Sequence, residues 1–114
     1  MGNPVVHFEI IAKDREKLSA FYSQLFDRKL NVIPEMGYGL VDTGADGNGI
    51  AGGIGTGDEG WVTVYVEVPN AQAALDKAVA LVANVVRPVV SIPGAVTMAV
   101  FEDFEGHRIG LVEG

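Results

Sequence analysis

Two side chains near the start of the chain, His7 and Glu9, have the types and spacing that could do chemistry. They stand two residues apart in an otherwise apolar run, VVHFEIIA at residues 5–12. Read as a β-strand, this run alternates its side chains. His7, Glu9 and Ile11 then share one face, His7 and Glu9 roughly 6.5–7 Å apart, while Phe8 and Ile10 take the other. A carboxylate among apolar walls is harder to ionise and can serve as a general base or acid. An imidazole beside it can orient a substrate or relay a proton. The plainer reading of the pair is two hydrogen-bonded lining groups. A second polar set lies at 61–68, WVTVYVEV, where Thr63, Tyr65 and Glu67 alternate with Val62, Val64, Val66 and Val68. Trp61 opens that run and could stack on a flat ligand, although packing explains it equally.

The elements that must position these groups come in two copies. Residues 5–26 are an apolar strand, a polar break at Lys13-Asp14 and a helical pattern, and a shift of 56 residues repeats that order from Val62 onward. His7 falls over Thr63, Asp14 over Asn70 and Leu25 over Leu81. A repeat of half the chain implies two supersecondary units, each supplying half of a sheet. Asp14 and Asn70 are expected N-caps. The helix after Asp14 carries Leu18, Phe21, Tyr22, Leu25 and Phe26 at core spacing, and the helix after Asn70 carries Ala71, Ala74, Leu75, Ala78, Leu81 and Val82. Further strands are expected at 30–34 (closed by Pro34), 36–42, 49–54, 85–90, 96–101 and 108–112. Turns fall at 44–48, Pro93-Gly94 and 105–107. Each half therefore reads βαβββ, module 1 at about 4–56 and module 2 at about 60–114, in an α+β fold. Helices on the apolar faces leave the polar faces to line a concave cleft, with the ligand between the modules.

Composition removes several function classes. The 114 residues are 48% hydrophobic and 20% charged, ordinary for one soluble domain. No apolar run approaches a membrane span, and the N-terminus lacks a leader pattern, so no membrane association is expected. With no cysteine, thiol catalysis and thiolate metal sites are excluded, and a reducing, cytoplasmic setting fits. A net charge of −7 with eight Lys and Arg argues against nucleic acid. Residues 47–52 match G-x-G-x-x-G, but Gly53, Gly55 and Gly57 follow where a phosphate-binding helix should begin. Asp42 and Asp46 could open a calcium loop, yet glycines hold its third and twelfth positions.

Six segments in order carry a family resemblance: HFEI at 7–10 followed by FYSQLF at 21–26, GLVDTG at 39–44, GIAGGI at 49–54, VTVYVEV at 62–68 and EDFEGHRIGLVE at 102–113. With the duplication, they make the chain similar to the vicinal oxygen chelate superfamily of glyoxalases, bleomycin-resistance proteins and extradiol dioxygenases, and most similar to its small glyoxalase-like group. The resemblance implies paired βαβββ modules around a cleft and commonly a homodimer. It also implies metal ligands on the first and last strands of each module. Here only His7 matches: Thr63 stands on the first strand of module 2, with Ala51 and Gly110 at the two last-strand positions. One ligand of four does not hold a transition metal tightly, since such sites take three or more protein ligands. No metal or other cofactor is therefore expected, a weak divalent ion at His7 being the alternative.

The sequence thus predicts a metal-independent, homodimeric, small-molecule-binding protein with its ligand on His7, Glu9, Thr63, Tyr65, Glu67 and Trp61. The alternatives are an isomerase or lyase acting on a small oxygenated substrate, with Glu9 as base and His7 assisting, and a drug-sequestering resistance protein.

Overall fold

The computed structural model describes residues 2–33, 37–42 and 49–114. Pro34, the turn at 44–48, the opening of the G-x-G-x-x-G match and Asp46 lie outside the described residues. The elements run β1 (Val5–Ala12), α1 (Arg15–Phe26), β2 (Lys29–Ile33), β3 (Tyr38–Asp42), β4 (Ala51–Thr56), β5 (Trp61–Val68), α2 (Ala71–Ala80), β6 (Asn84–Ser91), β7 (Thr97–Glu102) and β8 (Arg108–Glu113). This is an α+β fold of two βαβββ modules. The chain divides into two compact units, residues 7–62 and residues 63–114 with the first residues through Val6. Pro4 joins the latter because its carbonyl accepts the Glu67 N–H at 2.9 Å. Among the described residues, no helix is long and apolar enough to cross a membrane.

In the unit 7–62 the strand order is β2-β3-β4-β1, with β1 and β4 parallel and the other pairs antiparallel. A parallel pair needs a long crossover, which α1 and the β2-β3 hairpin supply. The register sets His7 beside Ala51, Glu9 beside Gly53 and Ile11 beside Gly55. Asp14 caps α1 by accepting the Lys17 N–H at 3.1 Å, and Asp27 ends it in a left-handed conformation. The core of this unit is Ala12, Val41 and Ile54 with Phe8, Ile10, Leu18, Tyr22 and Leu30 packed around them. Ile54 is 2% exposed, and burial of such a side chain contributes roughly 1.5–3 kcal/mol.

The expected inward stripe of α1 is only partly inward. Leu18 and Tyr22 face the sheet, but Phe21, Leu25 and Phe26 are 57%, 58% and 52% exposed. The helix turns Ser19 and Ser23 toward the sheet instead, with Ser19 buried and Ser23 half-buried.

In the other unit the order is β5-β8-β7-β6, again with one parallel pair, β5 and β8. Asn70 caps α2 through the Ala73 N–H at 2.9 Å, and the Glu113 carboxylate accepts the Ala71 N–H at 2.9 Å. Val68, Ala71, Leu75, Ala99 and Leu111 form its core beneath the helix. The helix stops at Ala80, so Leu81 and Val82 leave the expected stripe and stand 66% and 73% exposed. Val82 adopts φ 78°, the left-handed conformation that closes the helix end.

Candidate functional site

On β1 the alternation is as the sequence predicts. Phe8 and Ile10 pack under α1, and His7, Glu9 and Ile11 lie on the opposite face, all half-buried. His7 and Glu9 are brought together by a residue that sequence reasoning missed. The Tyr38 hydroxyl donates to Glu9 Oε2 at 2.9 Å and accepts from His7 Nε2–H at 3.1 Å. With the phenol donating to a carboxylate, the imidazole must be the donor in the other bond, which fixes its proton on Nε2. Burial lowers the His7 pKa below its usual 6.5, against a smaller raising effect of Glu9. The imidazole is therefore neutral at pH 7.

Glycine makes room for this arrangement. A Cβ on Gly53 would collide with the Tyr38 ring and hydroxyl, and one on Gly55 would press on the same ring. Gly52, between them, instead faces the Phe8 ring on the helix side. The glycine-rich β4 is thus a bed for two aromatic rings, one on each face. Parity on β3 sends Tyr38 to the face opposite the buried Val41.

The corresponding polar face of the other unit is closed. Thr63 and Tyr65 are 4% and 5% exposed, so neither lines an open hollow as expected. The Thr63 hydroxyl donates to the Arg108 carbonyl. Tyr65 lies across Gly110 and packs with Met98, Val100, Ile92 and Val112. The faces of β5 are more evenly buried than the sequence suggests, and Val62, expected under the helix, is 73% exposed. Glu67 is half-buried and lies over Gly114, while Trp61 is half-buried near Gly57.

The register also corrects one assignment. Tyr65 is the partner of Gly110, which sets Thr63 level with Arg108. The counterpart of Ala51, beside His7, is therefore Arg108 rather than Gly110. A methyl group and a guanidinium stand where carboxylates would be needed. His7 Nε2 is bonded to a phenol, and among the described residues no three His, Asp or Glu side chains gather to hold an ion. These residues do not fit a transition metal.

No family model matches the chain, and no curated protein is similar to it in sequence. Solved structures do match its fold. Methylmalonyl-CoA epimerase from Mycobacterium tuberculosis aligns with TM-score 0.67 at 12% identity, over 96% of this chain and 86% of its own. The Mn(II)-bound glyoxalase from Novosphingobium aromaticivorans aligns with TM-score 0.67 at 17% identity over 97% of this chain. The halotolerant catechol dioxygenase BphC gives TM-score 0.68 at 16% identity over 100% of it. This chain spans 38% and 40% of those two proteins. All three are vicinal oxygen chelate proteins, so the resemblance read from the sequence extends to the fold. Their different chemistries leave activity to be argued from the site.

Proposed function

We propose that this protein binds a small oxygenated molecule, without a metal ion, at the His7–Tyr38–Glu9 constellation. The observation that carries the reading is the Tyr38 hydroxyl bridging an imidazole and a carboxylate on the face of β1 turned away from the helix. A ligand hydroxyl or carbonyl can enter such a chain as donor or acceptor, since half-buried groups of both kinds are already aligned. The homodimer that the family resemblance suggests, and the cytoplasmic setting that fits a chain without cysteine, belong to this proposal too.

The same hydrogen bonds favour a second reading, an isomerase or lyase with Glu9 as base. Glu9 would take a proton from the substrate, and the Tyr38 hydroxyl, itself held by His7, would orient its carboxylate. Drug sequestration has only the net charge of −7 behind it, which would favour cationic compounds.

The test is a thermal-shift screen of small hydroxy and oxo compounds on wild type, Tyr38→Phe and Glu9→Gln. A compound at 100 times its dissociation constant stabilises by about 2.7 kcal/mol. Hits are expected to lose most of that shift in both variants while the variants remain folded. Hits unchanged in both would remove this site from the account. Turnover of a hit that disappears in Glu9→Gln would establish the enzyme reading with Glu9 as base, and turnover that persists would remove Glu9 from it.

A further inference from the structure

A cavity lies on the opposite face of β1, between α1 and the sheet; its enclosed part takes about one water-sized group, and it opens to solvent. Its walls are apolar, chiefly Phe8, Leu30, Val41 and Ile54, but three polar side chains of α1 and its C-terminal end also line it: Ser19, Ser23 and Arg28. Two features of this set are unusual. Ser19 is 4% exposed, and among the described residues its hydroxyl has no hydrogen-bond partner. Buried hydroxyls almost always have one, because a lone one loses its water without replacement. Arg28 is half-buried and, among the described residues, has no ion-pair partner. Its guanidinium sits 5.7 Å from the Phe8 ring centroid and 4.8 Å from that of Phe26. Those rings attract the cation but offer it no hydrogen-bond acceptor.

We infer that this cavity is a binding site for a small monocarboxylate. One carboxylate oxygen occupies the enclosed end, which has room for a water-sized group, and accepts the Ser19 hydroxyl. The other faces the Arg28 guanidinium, whose planar donor fork matches a carboxylate. The alkyl group points out through the open mouth of the cavity. A carboxylate answers both features at once, the hydroxyl without an acceptor and the guanidinium without a counter-charge. A water molecule alone answers only the first. The site is independent of the His7–Tyr38–Glu9 face, since Phe8 and Ile10 point away from it.

The experiment is a ¹H–¹⁵N titration of the intact protein with sodium acetate, against sodium chloride at matched ionic strength. Salt near 0.15 M reduces the Debye length to about 8 Å, so the chain's net negative charge does not mask the site. Amides at 19, 23 and 28–30 are expected to shift saturably with acetate and not with chloride. Arg28→Gln should abolish saturation, and Ser19→Ala should weaken binding about tenfold, the loss of one hydrogen bond to a charged group. Absence of saturation, an equal response to chloride, or saturation that survives Arg28→Gln would each overturn the inference. Should Arg28→Gln not fold, an undiminished affinity in Ser19→Ala overturns it.

Discussion

Gly53→Ala is the substitution that reads the site most sharply. The new methyl group would collide with the Tyr38 ring, and ordinary contact begins at 3.4 Å, so the ring must retreat by more than about 1 Å. The bonds of 2.9 Å to Glu9 and 3.1 Å to His7 then stretch and lose their alignment. Overpacking costs about 1–3 kcal/mol, and the weakened bonds about 1 kcal/mol more, since both partners can be rehydrated. The expected sum is about 2–4 kcal/mol, or a drop in Tm of about 10 °C or more for a chain this long. The informative measurement is a double-mutant cycle by urea unfolding. In a Tyr38→Ala background the methyl group meets no ring, so Gly53→Ala should be neutral or stabilise by up to about 1 kcal/mol. A cost unchanged by loss of the tyrosine would refute the claim that Gly53 exists to seat it. Gly52→Ala is the control, because it strikes Phe8 and leaves the hydrogen bonds to Tyr38 in place.

Three further outcomes are expected. Val82→Gly should stabilise the protein by about 1 kcal/mol in thermal unfolding, because a β-branched residue is held at φ 78° on an exposed surface; destabilisation would show that the Val82 side chain matters more than its backbone. Asn70→Ala should cost about 1 kcal/mol through the lost cap on Ala73, and an unchanged Tm would mean that Glu113 suffices. His7 should make stability pH-dependent. Its folded pKa lies below 6.5, so the unfolded chain takes up the proton first. Its contribution is complete above pH 6.5 and falls as pH drops from there toward the folded pKa. Urea midpoints at pH 7.5 and 5.5 should therefore separate more in wild type than in His7→Gln, and equal separations would count against a buried neutral imidazole.

What was legible in the sequence follows the length of each pattern. The strands at Val5–Ala12 and Trp61–Val68 and both N-caps, Asp14 and Asn70, stand where alternation and cap chemistry place them. The faces of α1 were harder, because Phe21 and Leu25 share a helical spacing with the inward Leu18 and Tyr22. Only the contacts show that the small Ser19 and Ser23 turn inward. Thr63 and Tyr65 were read as cleft-lining because polarity was equated with exposure. Instead a hydroxyl satisfied by the Arg108 carbonyl and a ring seated on Gly110 can both be buried. Tyr38 was missed because its partners lie 29 and 31 residues away, a distance across which no local period carries information. The glycines of β4, read as turn and strand, were the trace it left.

The most direct test of the central claim is amide chemical-shift mapping of the strongest hit from the thermal screen, in chelator-treated protein. The amides of His7, Glu9, Tyr38 and Gly53 are expected to move first, with the same affinity before and after a divalent ion is added. Shifts that leave those four residues unmoved, or that appear only once the ion is supplied, would contradict it.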